Sequence, residues 1–491
     1  MSAPNLLFLF TDEQRYDTLG AYGNGEIHTP NLDRLAATST VFERAYVTQP
    51  VCTPSRATLL TGLYPHTSGC LANNVPLPAD VPCLPEMLTP GQYVSGYHGK
   101  WHLGDEIFAQ HGFEKWVSVE DMYIRHYSPG RDRGRRSDYH HFLIESGFAP
   151  ADGDLFRRGE TARFDEQFSK PAFLASSAGR FIRENAGRPF VLFVNFLEPH
   201  MPFFGPRDGQ YDPAEVPLPP NFRAAPGEDQ PLKARLLHRH YREKGISGLP
   251  LRSQAEWRRV IANYWGLCSL VDNCVGEILD ALAEAGLWDN TVIVYTSDHG
   301  DMMGSHGLVA KCLMFEEAVR VPLLVRLPGQ TAGRRFRRPV SQIDLLPTLL
   351  ELMGQKVPSH LQGRSLKPLL AGAARPQQED VFIEWNGPDS GIKRFLSDRE
   401  YPDYLAEIAT RQQFLEAVED PVRSVVTADG WKLNCSPAGQ HELYNLNEDP
   451  LETTNLAARA DCRPLMKDLA GRIRSWQQRT SDTVQLPVFD S

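Results

Sequence analysis

Near-continuous apolar runs recur along the chain at residues 6–10 (Leu-Leu-Phe-Leu-Phe), 190–196, 291–296 and 322–326. Short runs without polar alternation predict strands covered on both faces, as in a parallel sheet. Helical stretches lie between them, one around 31–38. Val260, Tyr264, Leu267, Val271, Val275, Ile278 and Leu282 recur every three or four positions. That spacing predicts a helix over 254–285 with one core-facing stripe, closed by Gly286. The alternation of strand and helix predicts an α/β sandwich around a central, mainly parallel sheet.

Two Pro-rich stretches, 76–90 and 199–226, read as irregular, the second as a surface excursion near the active site. After Pro368 the pattern changes. Short strands over 381–385 and 422–427 and a closing helix over 464–479 predict a smaller C-terminal α+β domain with a short antiparallel sheet. The expected division is 1–375 and 376–491, in keeping with a length of 491 residues.

Composition excludes several classes. Hydrophobic residues make up 41% and charged residues 23%, as in soluble globular proteins. A net charge of −10 argues against nonspecific nucleic-acid binding. The basic run Arg131-Asp132-Arg133-Gly134-Arg135-Arg136 is local and reads as a solvated loop, or as part of an anionic substrate's entrance. No stretch reaches the ~18 apolar residues that span a bilayer, and 6–10 is too short for a signal-peptide core. The expectation is a cytoplasmic protein with no membrane partner, its 8 cysteines mostly free thiols.

Candidate chemistry begins at Cys52, in Val51-Cys52-Thr53-Pro54-Ser55-Arg56-Ala57-Thr58-Leu59-Leu60-Thr61-Gly62. Cysteine is nucleophilic near neutral pH when a cation lowers its pKa. A helix starting near Pro54 would put Cys52 at its positive end, where an anion is stabilised. A buried structural thiol is the plainer alternative. Strand ends in α/β sheets carry ligand sites. Asp12-Glu13 follows the first apolar run, and Ser297-Asp298-His299-Gly300-Asp301 follows the third. Together they could hold one divalent cation. In Gly99-Lys100-Trp101-His102-Leu103-Gly104, an extended backbone would turn Lys100 and His102 to the same face, toward one anionic group. His200 follows the second run, and Lys311 lies beyond Asp298.

The Cys52 segment resembles the signature of the type I, formylglycine-dependent sulfatases of the alkaline-phosphatase-like superfamily. The segment 99–104 resembles their second signature, and 442–456 (Glu-Leu-Tyr-Asn-Leu-Asn-Glu-Asp-Pro-Leu-Glu-Thr-Thr-Asn-Leu) resembles a phrase near the end of many members. The Asp298-His299 pairing is similar to that of choline sulfatases and phosphonate monoester hydrolases. The resemblance implies that a formylglycine-generating enzyme oxidises Cys52 to an aldehyde, whose hydrate attacks a small-molecule sulfate ester. It implies metal coordination by Asp12, Asp298, His299 and the group at 52, with Glu13 as a further ligand. Calcium is the first expectation for the ion and manganese the second, because oxygen ligands suit calcium and an imidazole suits a transition ion. By the same resemblance Lys100, His200 and Lys311 contact the sulfate oxygens, His102 holds the hydrate, Arg56 stabilises it, and Asn73 contacts substrate. Many members carry Asp where this chain has Glu13, Asn where it has His299, and Gly where it has Gln92.

The rival activity is hydrolysis of phosphonate monoesters or phosphodiesters with the same nucleophile; Lys100 and His102 weigh against it. A non-catalytic protein of the same fold would have lost the nucleophile or the metal ligands, and this sequence has lost neither. Trp385, Glu384 and the 131–136 loop are candidate pocket walls. The sequence names neither the esterified alcohol nor the oligomeric state, a homo-oligomer included.

Overall fold

The run at 6–10 lies inside strand β1 (Asn5–Asp12), every residue of which is buried. The chain's structure is a computed structural model describing residues 3–223, 225, 227–373, 379–387 and 401–489. Seven more strands join β1 in one sheet: β2 (Thr40–Phe42), β3 (Val94–Gly99), β4 (Lys115–Val117), β5 (Phe190–Pro199), β6 (Thr291–Ser297), β7 (Leu323–Arg326) and β8 (Arg334–Phe336). Their order is β8-β2-β7-β6-β1-β5-β3-β4. β1 pairs in parallel with both β5 and β6, so the ends of these central strands open on the same side.

The faces of β1 explain its unbroken apolar run. Leu6, Phe8 and Phe10 join Val191, Phe193, Val292 and Val294 in one core layer. Leu7 and Leu9 point the other way, onto Leu192, Val194, Ile293 and Tyr295. One expectation is corrected: β7 runs antiparallel to both of its neighbours. An apolar run reports burial of both faces and carries no information on strand direction.

The short helix α1 (Pro30–Ala36) and the helix α2 (Cys52–Thr61) precede α3 (Lys170–Glu184) and α4 (Gln254–Glu284). Leu174, Ala178 and Ile182 of α3 and Val271, Val275, Ile278 and Leu282 of α4 cover one sheet face. Ala57, Leu59 and Leu60 of α2 belong to the opposite layer. α4 begins with a capping box: Ser253 accepts from the Glu256 N–H, and Glu256 accepts from the Ser253 N–H. The 76–90 stretch is not wholly irregular, because Leu84–Met87 forms a 3-10 turn held by the Glu86 carboxylate on the Cys83 N–H, 2.8 Å away.

The expected boundary between 375 and 376 lies outside the described residues. Beyond it, β9 (Val381–Glu384), β10 (Arg423–Val426), β11 (Trp431–Cys435) and β12 (Glu442–Asn445) form an antiparallel sheet in that order. The closing helix α5 (Arg463–Thr480) packs Met466, Leu469, Ile473 and Trp476 onto Phe382, Val425 and Leu433.

Candidate active site

Two strand ends bring the site together. Asp12 closes β1, and Asp298 and His299 follow β6. The parallel pairing of Thr11 with Ser297 sets them side by side. The Asp298 Oδ1 accepts the Glu13 N–H at 3.1 Å. At Gly300 an added Cβ would stand 1.9 Å from the Glu317 carbonyl oxygen, so the turn after His299 closes only on glycine.

Cys52 completes this group. All 10 residues of α2 are buried, and α2 starts at Cys52 rather than near Pro54. Pro54 fits inside the first turn because N–H groups there have no intrahelical acceptor. The Asn73 side-chain oxygen takes the Thr53 N–H at 3.1 Å, which places Asn73 at the helix start beside Cys52. Cys52 Sγ lies 3.2 Å from His299 Nε2 and 3.7 Å from Asp12 Oδ1. His299 Nε2 is 3.6 Å from Asp298 Oδ1.

The donor set suits a divalent cation. Asp12, Cys52, Asp298 and His299 each offer a ligand atom within 4.8 Å of the others, and all are buried. His299 Nδ1 faces the Gly300 carbonyl at 2.9 Å. That contact puts the proton on Nδ1 and leaves the Nε2 lone pair toward the cluster. Glu13 Oε1 is buried, and the Glu13 carboxyl lies against the buried Asp301 carboxyl. Glu13 also converges with Asp12 and His200.

Cations surround the carboxylates. Arg56 donates to Asp12 Oδ2 at 2.8 Å, to the Asn195 side chain at 2.6 Å and to the Lys100 carbonyl at 2.8 Å. It also pairs with Asp298 at 2.9 Å. Lys100 Nζ reaches Asp12 Oδ2 at 2.5 Å. Lys311 Nζ is 2.9 Å, and His200 Nε2 3.3 Å, from Glu13 Oε2. Burial alone would raise the Asp12 carboxyl; Lys100, with Arg56 and Lys311, outweighs it and holds Asp12 well below the usual carboxylate range. Burial lifts Glu13 to about 8, with Lys311 opposing. Burial, reinforced by Asp12, pushes the Cys52 thiol up to about 11. The bare thiol is therefore a protonated, weak nucleophile here.

Lys100 and His102 reach the site by a route other than the expected one. β3 ends at Gly99, and His102 has φ +60, so the segment is not extended. A Cβ at Gly99 would lie 1.9 Å from the Asn195 carbonyl oxygen, which lets the chain press against β5 before turning. Glu106 accepts the Trp101 and His102 N–H groups at 2.7 and 2.6 Å and fixes that turn. His102 Nε2 is 3.2 Å from the Asn74 side-chain oxygen. Burial, then Lys100 and Arg56, hold the His102 imidazole well below its ordinary pKa, and burial with Lys311 does the same to His200.

Several participants escape a reading of the sequence alone. Asn195 is a polar residue inside an apolar run, which was a usable signal. Tyr123 and Arg158 lie in a stretch without a motif. The Tyr123 ring packs 4.6 Å from His102, and Arg158 donates to the Tyr123 hydroxyl at 2.8 Å while pairing with Glu120 at 2.6 Å. Two of the suggested pocket walls are engaged elsewhere: Glu384 pairs with His66 at 2.8 Å, and Trp385 is buried beneath Lys233 Nζ. Arg131, of the third, pairs with Asp105 at 3.0 Å and stacks on Phe108.

Known proteins resemble this chain in sequence and in fold. The chain is 30% identical over 488 residues to the uncharacterized sulfatase YidJ of Escherichia coli (strain K12), covering 95% of this chain and 86% of YidJ. It is 29% identical over 470 residues to the choline-sulfatase of Rhizobium meliloti (strain 1021), covering 92% and 82%. The phosphonate monoester hydrolase SpPMH from Silicibacter pomeroyi superposes with a TM-score of 0.77 at 22% identity, over 97% of this chain and 96% of that one; this likeness is one of fold. The sulfatase family model matches residues 4–355. Since that span carries both signatures and every residue of the metal cluster, the chain belongs to the sulfatase family, alkaline-phosphatase-like hydrolases of sulfuric esters.

Proposed function

We propose that the chain hydrolyses the sulfate monoester of a small alcohol or phenol, using a formylglycine made from Cys52 and one divalent cation. The observation that carries this is the position of Cys52 Sγ, 3.2 Å from His299 Nε2, inside a buried ligand cluster ringed by Arg56, Lys100 and Lys311. Formylglycine, once formed, supplies a hydrated aldehyde with one oxygen to attack sulfur and a second to release sulfate. The cation supplies charge that polarises the ester and acidifies the nucleophile. Asp12, Asp298, His299 and Glu13 would hold it, and the imidazole in that set favours manganese over calcium.

Asp298 accepts the proton of the attacking hydroxyl. Lys100 and Lys311 direct their ammonium groups at the non-bridging ester oxygens, with His200 beside them, in a buried site where such donors are worth most. Lys311 keeps its charge despite burial because negative groups around it, Glu13 and Asp12 among them, raise its pKa. It is the proton carrier to the leaving oxygen. His102, kept neutral, accepts the last proton. Arg56 orients the two aspartates, and Asn73 stands beside the helix start where substrate would enter.

Cys52 is buried in the folded chain, so a formylglycine-generating enzyme would act before folding is complete. A cytoplasmic location is supported by the cysteines, none of which lies in a disulfide. The second reading, phosphonate monoester or phosphodiester hydrolysis, is favoured by His299 in the metal cluster. Parallel rates on an aryl sulfate and an aryl phosphonate, with metal-loaded and fully modified protein, test the choice. A strong phosphonate preference would reverse it.

A further inference from the structure

We propose that Cys83, Glu86 and His111 form a second cation site, selective for zinc or a similar thiophilic divalent ion, behind Trp101. The Cys83 Sγ, a Glu86 carboxylate oxygen and a His111 ring nitrogen lie within 4.8 Å of one another. Cys83 is fully buried. The His111 side chain is 5% exposed, and its Nδ1 makes no hydrogen bond among the described residues. That nitrogen points to Glu86 Oε2 at 3.4 Å. This is longer than a normal N–H···O bond. It matches the ~3.5 Å between two ligand atoms on one tetrahedral zinc with bonds near 2.0–2.1 Å.

The backbone holds the three groups together. The 3-10 turn Leu84–Met87 sets Cys83 and Glu86 at its start, joined by the Cys83 N–H on the Glu86 carboxylate. His111 has φ +49 and is followed by Gly112 at φ +76. A Cβ on Gly112 would stand 2.8 Å from Glu86 Cγ. Glycine is therefore what allows the 111 loop to bring its imidazole against Glu86. Thiolate, imidazole and carboxylate form a mixed set that suits zinc, whereas calcium and magnesium take oxygen. The Glu86 side chain is 33% exposed, so water can occupy the fourth position.

The site is separate from the catalytic cluster and does not rest on the proposed reaction. Its neighbour gives it a purpose. The His111 ring lies 5.9 Å from the Trp101 ring, and Trp101 stands between Lys100 and His102. A zinc ion here would fix the wall on which that segment is built.

The test is a cobalt titration of the full-length Cys52→Ala protein, in which the catalytic cluster offers no thiolate. The expected result is saturable cobalt–thiolate charge-transfer absorption from one cobalt per chain, beyond any held by the oxygen and imidazole ligands of the catalytic cluster, and its displacement by zinc. Cys83→Ser in that background should abolish the absorption, and Glu86→Gln or His111→Ala should weaken cobalt binding at least about ten-fold. Glu86→Gln changes a partly exposed side chain and keeps the comparison valid if the core variants misfold. Absence of the absorption in Cys52→Ala protein, or its persistence at full strength in folded Cys83→Ser or Glu86→Gln protein, overturns the proposal and leaves a capping turn beside an ordinary histidine.

Discussion

The Arg56 guanidinium lies 2.8 Å from Asp12 Oδ2 and 2.9 Å from Asp298 Oδ2, with all three side chains fully buried. One cation thus ties the ends of two adjacent strands and fixes the distance between two metal-ligand carboxylates. Removing it would strip the buried Asp298 carboxylate of its guanidinium partner and leave Asp12 to Lys100. Arg56→Ala is expected to lose about 3–5 kcal/mol of stability, measured by urea denaturation in chelator. Arg56→Lys keeps the charge but not the planar fork, so it should retain more stability than Arg56→Ala yet bind metal more weakly than the parent. Metal affinity equal to the parent's in Arg56→Lys would show that the fork geometry is unimportant.

At Cys52 the expected chemistry is visible by mass. A peptide spanning Cys52 from protein made with the modifying enzyme should carry aldehyde or hydrate in place of thiol. Cys52→Ala should lower kcat by 10³-fold or more, the order seen when a nucleophile is removed. Cys52→Ser should turn over at most once and retain a sulfate on the peptide. Steady turnover by Cys52→Ser protein would refute the need for a second hydroxyl.

Metal removal should destabilise the fold as well as stop the reaction, because Asp12, Glu13 and Asp298 sit together in the core. Melting temperature should fall in chelator and recover with manganese in a concentration-dependent way. His299→Ala should require at least about ten-fold more manganese for the same recovery. Calcium restoring both stability and rate at lower concentration than manganese would reverse the metal preference.

Tyr123 packs on His102 and receives a hydrogen bond from Arg158. Tyr123→Phe keeps the ring and loses that bond, so its effect should be about 1 kcal/mol, or roughly five-fold in kcat/KM. Arg158→Met removes a partly buried cation near the anion site and leaves Glu120 paired with Lys170, at 3.1 Å. Its loss should fall mainly on KM. An unchanged KM would place Arg158 outside the substrate's reach.

His66 gives a pH test away from the metal cluster. Its Nδ1 is 2.8 Å from Glu384, and its Nε2 is 3.1 Å from the Thr480 carbonyl, joining the turn after α2 to β9 and α5. Burial alone would lower its pKa; the hydrogen bond and charge of Glu384 overcome that and raise it. With the folded value above the unfolded one, the contribution is complete below pH ~6.5 and is lost as pH rises through the folded value, with a slope of at most about 1.4 kcal/mol per pH unit. Stability of the parent should therefore decline on that alkaline side more than stability of His66→Ala. Parallel pH–stability curves for the two would remove His66 as the cause.

What the sequence determined was local. Apolar runs marked the central strands, since a segment covered on both faces has no polar side to show. The 3.6-residue spacing marked α4, and contiguous motifs carried the nucleophile segment, the metal pairs and the Lys100–His102 segment, though not its turn. Only the tertiary structure decided the rest. The direction of β7 depends on its neighbours and leaves no trace in its own residues. Arg56 was legible as a cation near the nucleophile, but its role as a tie between Asp12 and Asp298 needed the register of β1 against β6. Tyr123 and Arg158 join the site through contacts with residues far off in sequence, where composition carries no pattern. The grouping of Cys83, Glu86 and His111 was hidden for the same reason: ligand atoms converge by chain topology and close backbone approach at Gly112, and neither is written in the spacing of residues along the chain.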